Sequence, residues 1–293
     1  MKTSPRCPIC DSNFEALTKY KVSKFRIYFC GRCQIGFTYP RPPNLAGYYP
    51  GSYWGSPSFL GRLRGLIYSF FQFRRVRWLR KSIKGGKILD VGAGEANFGK
   101  SLAGQYQVSS IDAPFAKLAN KKVLKIDFLS WRSRRKFDAV VFWESLEHTP
   151  EPEKYIRKAF SLLRKRGLMM VEYPRFDCLE RKIFGKFWYH FDVPRHLVHF
   201  TDWGLRELMA SNNLKIIDQR TVFAWEYTVG GLCASMSNFL GLPVLDFVRG
   251  RSWGLILALP LLILSMLIAP VSFIMGQSPI GLVIAKKVGD GES

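Results

Sequence analysis

Lys87-Ile88-Leu89-Asp90-Val91-Gly92-Ala93-Gly94-Glu95, followed by Asp112 twenty residues beyond Gly92, is the stretch that decides the fold. An apolar run ends in a Gly-x-Gly turn, and a helix-like segment, Ala96 to Ala103, comes next. Glycine lets the backbone turn sharply and approach a ligand closely, while helix N–H groups beyond the turn face that ligand. A second apolar run, Val108 to Ile111, brings Asp112 to the same edge, where a carboxylate accepts hydrogen bonds from two ribose hydroxyls. The segment reads as a nucleoside-binding βαβ unit.

A dinucleotide fingerprint needs glycine where Asn97 stands. The order Asp90-x-Gly92-x-Gly94 instead resembles motif I of the class I S-adenosylmethionine-dependent methyltransferases, with Ala96 where a third glycine is usual. Later segments keep the order of that family. Val123 to Phe128 resembles its third strand. Phe137 to Trp143, with Glu144-Ser145-Leu146-Glu147-His148, is similar to the fourth strand and its loop. Pro152 to Arg164 reads as a helix and Lys165 to Pro174 as a turn and fifth strand. The resemblance implies an α/β, Rossmann-like sheet binding S-adenosylmethionine. Asp90, Gly92 and Gly94 would form its turn, Asp112 would hold the ribose, Asp127 and Phe128 would lie at the adenine, and Trp143 would flank the sulfonium end.

The chain is 293 residues long, enough for a core of roughly 200 residues and a small extra module. Forty-four basic residues against 22 acidic ones give a net charge of +22, which favours an anionic partner. Met1 to Cys10 is short, polar and broken by Pro5 and Pro8, so it is expected to be no secretory signal.

Cys7-Pro8-Ile9-Cys10 and Cys30-Gly31-Arg32-Cys33, nineteen residues apart, have the spacing of a zinc ribbon. Four thiolates leave a zinc ion no open position, so the site is expected to be structural and to fold its module. Two disulfides are the competing reading. Cys178 and Cys233 fit no such spacing and read as buried thiols. A cysteine ribbon, a Pro/Tyr-rich segment with Tyr48, Tyr49, Tyr53 and Trp54, and then motif I together resemble methyltransferases found among bacterial polysaccharide-building enzymes.

Leu63, Leu66, Ile67, Phe70 and Phe71 then repeat at helical spacing, in a segment without an acid between Arg62 and Lys87. Two readings stay open: a helix covering the first strand with a solvated basic side, or a helix lying on anionic lipid or a nucleic-acid backbone. Trp203 to Asn212 reads as a helix, Leu214 to Phe223 as the sixth strand, and Ile280 to Lys287 resembles the family's last strand. Between them, Trp253 to Met275 holds 23 residues without a charge. Pro260, Pro270 and basic residues at both ends (Arg249, Arg251, Lys286, Lys287) argue against a simple span and for a re-entrant or in-plane helical hairpin. A buried helix pair or dimer interface is the alternative. The expected domains are a ribbon at 1–37, a linker at 38–60, a methyltransferase core at 61–227, a membrane-associated insertion at 228–278, and a last core strand at 279–288.

Methyl transfer to a hydroxyl needs the acceptor positioned and its proton removed, and histidine suits that second task. His148, His190, His196 and His199 all follow the fourth or fifth strand. His190, then His148, then His196 are the candidate bases, whereas His199, between Val198 and Phe200, reads as a core histidine. The aromatic segment Phe187 to Phe200, where the family shapes its acceptor pocket, suits a sugar ring or isoprenoid chain. The expected activity is O-methylation of a glycan or lipid-linked intermediate on the cytoplasmic side of the inner membrane. A zinc-ribbon RNA methyltransferase, with nucleic acid as partner, and an inactive membrane-tethered scaffold are the alternatives.

Overall fold

The computed structural model describes residues 6–12, 20–49, 59–102, 104–242 and 253–288. Residues 50–58, with Tyr53 and Trp54, and 243–252, with Arg249 and Arg251, lie outside the described residues, as do the side chains of 59–70 and 253–258. In chain order the elements are β1 (Tyr20–Val22), β2 (Phe25–Cys30), β3 (Ile35–Tyr39), α1 (Phe59–Ser82), β4 (Gly86–Val91), α2 (Asn97–Ser101), β5 (Tyr106–Asp112), β6 (Leu124–Lys125) and β7 (Phe137–Trp143). They continue with α3 (Pro152–Leu162), β8 (Leu163–Pro174), α4 (Leu179–Phe184), β9 (Val198–Phe200), α5 (Asp202–Ala210), β10 (Leu214–Val222), α6 (Trp225–Leu240), α7 (Trp253–Ile274) and β11 (Ile280–Lys287).

A seven-stranded sheet has the order β10-β11-β8-β7-β4-β5-β6, and the pairs β4–β5, β4–β7, β5–β6 and β7–β8 are parallel. The fold is the expected α/β, Rossmann-like sheet. The centre follows from composition: Ile88, Leu89 and Val91 of β4 are buried, as are Ala139 to Phe142 of β7, so consecutive residues point into both covered faces. From β4 the chain winds outward to β5 and β6, then returns to the other side of β4 as β7. That reversal opens a crevice beyond the carboxyl ends of β4 and β7. The third strand is only two residues long, shorter than the expected Val123 to Phe128. Asp127 instead accepts from the amides of Leu129 and Ser130 and starts a turn.

The chain divides into two compact units. One joins Pro42–Glu172, Arg206–Asp218 and Val283–Ser293, and holds most of the sheet. The other joins Met1–Arg41, Tyr173–Leu205 and Gln219–Leu282. In this second unit the cysteine ribbon is part of a larger body. β3 pairs antiparallel with β9, matching Ile35 to Phe200 and Phe37 to Val198, in a four-stranded sheet of order β1-β2-β3-β9. Ile27 of the ribbon packs in one cluster with Phe176, Cys178, Trp188 and Phe191. The aromatic segment expected to line an acceptor pocket thus puts Trp188, Phe191 and Phe200 into the core of its unit. A small ribbon buries too little surface to stand alone and recruits these rings. α6 and α7 pack against each other. Among the described residues no helix is long and apolar enough to cross a membrane.

Candidate active site

Asp90 to Asp112, in the first unit, build the centre of the site. Gly92 (φ +77°) and Gly94 (φ +54°) both take left-handed backbone, so the turn after β4 needs residues without a Cβ penalty. The two differ in surroundings. A Cβ on Gly92 would stand 2.4 Å from Ser145 Cβ, whereas one on Gly94 would meet nothing within 4 Å. The space over Gly94 is a cradle for a ligand. Ala96 also has positive φ, at 56°, which explains why a glycine is usual there.

The Asp112 carboxylate faces this turn. One oxygen accepts from Gly94 N at 2.6 Å and the other from Ala113 N at 2.7 Å. Burial raises its pKa, and the two amides oppose that rise. Each oxygen keeps a further lone pair for a ribose hydroxyl. Asp90 lies beneath the turn, almost wholly buried, with neither carboxylate oxygen hydrogen-bonded. Desolvation pushes its pKa up to about 7, aided by Asp112 and opposed by Arg75. A buried acid left unsatisfied beside an open glycine turn suits a ligand that brings positive charge and donors. S-adenosylmethionine, with its ammonium, sulfonium and ribose, meets that demand.

Phe128 and Trp143, also expected at the cofactor, are buried, and Asp127 is exposed. Phe128 is buried and meets Phe142 and Tyr155 edge-on or tilted. Trp143 is buried between Trp78 and Phe98, with the Arg75 guanidinium 5.4 Å from its ring centre. Both pack against neighbouring rings. Asp127 spends its carboxylate on the turn described above.

Two features of this unit were not read from the sequence. The first is a buried ion cluster. Glu172 of β8, fully buried, accepts from Arg74 at 2.9 Å and from Arg75 Nε at 2.9 Å. Burial acts to raise its pKa, but the two guanidiniums outweigh burial and lower it. The basic helix α1 therefore turns Arg74 and Arg75 into the core, which decides the helix question for these two residues in favour of covering the sheet. A lone acid after Leu168-Met169-Met170-Val171 was the available signal, since a buried charge demands a partner. Glu144 nearby has φ +53° and a buried carboxyl, whose pKa is pushed well up by desolvation and by Glu147 and Glu172.

The second feature is Tyr49. Its ring lies 5.4 Å from that of Phe115, after β5, and its hydroxyl is 3.2 Å from His148 Nδ1, after β7. Tyr49 thus lies over the carboxyl ends of the strands, where His148 is half-buried.

The other histidines belong to the second unit. His190, the first candidate base, is buried with Nε2 3.0 Å from Tyr227 O, and a Cβ on Gly231 would stand 2.4 Å from that nitrogen. Burial pushes its pKa down to about 4, opposed by the Tyr227 carbonyl. His196 is buried with Nδ1 2.8 Å from His190 O. His199 pairs with Thr38 Oγ1 at 2.9 Å, and burial, aided by Arg181, holds it down to about 3. These three rings knit the ribbon and its neighbours together. At least one nitrogen of each ring is engaged inside the protein.

The second unit also gathers the ribbon cysteines. The Sγ atoms of Cys7, Cys10, Cys30 and Cys33 all lie within 4.8 Å of one another. Cys7 to Cys33 is 3.9 Å and Cys10 to Cys30 is 3.6 Å. A tetrahedral ion with Zn–S bonds near 2.3 Å needs sulfurs about 3.8 Å apart, so the set fits zinc. All six cysteines are free thiols, without the disulfides of the competing reading.

Residues 67–219, just over half of the chain, match the family model described as a methyltransferase domain. A ubiquinone biosynthesis O-methyltransferase of Pelagibacter ubique is 28% identical over 123 residues, which are 38% of this chain and 51% of that protein. The match spans about half of the relative's length. Among solved structures, 1,6-didemethyltoxoflavin-N1-methyltransferase of Burkholderia thailandensis, with bound S-adenosylhomocysteine, aligns over 92% of this chain and 98% of its own, at 14% identity and a TM-score of 0.48. The N-methyltransferase NodS of Bradyrhizobium japonicum aligns over 74% and 87%, at 13% identity and a TM-score of 0.43.

Proposed function

Since the chain belongs to the methyltransferase domain family, an S-adenosylmethionine-dependent enzyme, we propose that it methylates a hydroxyl of a glycan or lipid-linked intermediate, with His148 as the base. The observation that carries this is the Tyr49–His148 pair. Of the four histidines, His148 alone follows β7 at the crevice mouth without being fully buried, and Tyr49 fixes its Nδ1. S-adenosylmethionine, when bound, supplies an electrophilic methyl group on a sulfonium. Asp112 would hold its ribose and the Gly92–Gly94 turn would admit its backbone approach. His148 would take the proton of the acceptor hydroxyl placed beside that methyl group.

O-methylation accords with the name of the Pelagibacter relative, and a lipid-linked acceptor accords with the uncharged insertion. The polysaccharide setting rests on the resemblance in the ribbon and linker. Zinc at Cys7, Cys10, Cys30 and Cys33 is structural in this reading, because four protein ligands fill its coordination sphere. Calorimetric titration with S-adenosylmethionine, beside Asp112→Ala, tests the cofactor. Methyl uptake by lipid-linked glycans, beside His148→Ala, tests the acceptor and base. Saturable binding lost in the first variant and uptake lost in the second are expected. Uptake unchanged in His148→Ala would remove His148 from the role.

A further inference from the structure

α7 is built inside out. In a helix packed on a water-soluble protein, large apolar residues face inward and polar ones outward. From Leu259 onward the reverse holds. Ser265, Ala269 and Ser272 are the buried residues, and Ala269 packs among Val229, Leu232 and Met236 of α6. The serine hydroxyls are satisfied within the helix, by Leu261 O at 2.7 Å and Ala269 O at 2.9 Å. Outward stand Leu262, Ile263, Leu264, Leu267, Ile268 and Ile274, with Leu267 67% and Ile274 81% exposed.

The width of this face names its partner. At 100° per residue, the outward positions cover roughly 240° of the helix circumference and leave only the serine–alanine seam for α6. A second protein docking on one side covers a stripe nearer 100° wide. Small and hydroxyl residues inward with large aliphatics outward is the arrangement of helices packed within lipid. The same unit carries a cationic rim where α6 ends. Phe239, itself exposed, contacts the rings of Phe184 and Phe187, and Lys186 Nζ lies 5.0 Å from the Phe187 ring centre. Lys182 and Lys186 are exposed beside exposed Ile183 and Leu240. Apolar groups next to ammonium groups suit a boundary between acyl chains and anionic headgroups.

We propose that α7 embeds in one leaflet of an anionic bilayer, entering from and returning to the same side, with Lys182 and Lys186 at the headgroups. The insertion leaves from β10 and returns to β11, neighbours in one sheet, so the chain enters and leaves on one side, and Pro260 and Pro270 interrupt the backbone ladder of α7. The placement is independent of the acceptor and of the cofactor.

The test is flotation of the full-length protein, moved from detergent onto vesicles of phosphatidylcholine alone or with phosphatidylglycerol. Wild type is expected to float with both and more strongly with phosphatidylglycerol. The double variant Leu267→Glu/Ile274→Glu should bind at least about tenfold more weakly, because two exposed apolar contacts become charges. Its near-UV circular dichroism should stay native, since both side chains lie outside the packed seam. Lys182→Glu/Lys186→Glu should lose only the phosphatidylglycerol preference. Wild type that does not float, a double variant that floats equally, or a detergent-free wild-type dimer made monomeric by the double variant without vesicle binding would each overturn the proposal. The last outcome would assign the face to a second copy.

Discussion

Gly92→Ala and Gly94→Ala should separate the turn's structural role from its ligand role. Alanine in left-handed backbone costs about 1–2 kcal/mol at either position. At Gly92 the new methyl also lands 2.4 Å from Ser145 Cβ, well inside contact distance, and forcing such an overpacked site costs about 1–3 kcal/mol more. Gly92→Ala should therefore lose about 2–5 kcal/mol of stability, or roughly 4–20 °C in Tm at about 2–4 °C per kcal/mol. Because Ser145 Oγ donates to Val91 O at 2.6 Å, the damage should spread along the end of β4. Gly94→Ala meets no neighbour, so its loss should stop at the backbone term of about 1–2 kcal/mol. Its methyl instead occupies the cradle, and S-adenosylmethionine affinity should fall by tenfold or more, about 1.4 kcal/mol. Thermal unfolding without ligand and calorimetric titration measure the two effects on the same samples. If Gly94→Ala binds the cofactor as tightly as wild type, the cradle is not where the ligand sits. If Gly92→Ala is no less stable than Gly94→Ala, the contact with Ser145 has been misread.

Glu172→Gln leaves two guanidiniums in the core without their counter-charge and should cost about 3–5 kcal/mol, read as a lower urea midpoint. The native pKa of Glu172 lies below its unfolded value, so its contribution is present above about pH 4.3 and fades as pH falls through the native pKa; the variant should lack that acid-side loss. Asp90 has the opposite sign. With a native pKa of about 7, its contribution is complete below the unfolded value near 4 and is lost as pH rises through 7, so Asp90→Asn should flatten the fall in ligand-free stability between about pH 4 and 7. Tyr49→Phe removes the hydroxyl from His148 Nδ1 and should lower kcat/KM about threefold to tenfold; an unchanged kcat/KM would take Tyr49 out of the site. Strong chelation should release one zinc per chain and lower the melting temperature, and a protein that holds no zinc after growth in zinc-replete medium would refute the ribbon.

Local patterns determined a good deal by themselves. The motif I turn, the order of strands and helices after it, the two Cys-x2-Cys turns and the last strand at Ile280 to Lys287 are each written in a few neighbouring residues. Period, glycine placement and ligand spacing act over short distances, so they are legible without a fold. Tertiary structure decided the rest, because those outcomes depend on partners far apart in the chain. Arg74 and Arg75 look like any basic helix face until Glu172, about a hundred residues later, arrives in the core to pair with them. His190 looks like a base until Tyr227 and Gly231 close around it. The aromatic segment from Phe187 to Phe200 looks like a pocket wall until the ribbon's Ile27 and β3 claim it as core. In α7 the composition announces only an apolar helix. Which residues face α6 and which face outward is set by how closely two backbones approach, and small side chains permit that approach where large ones cannot.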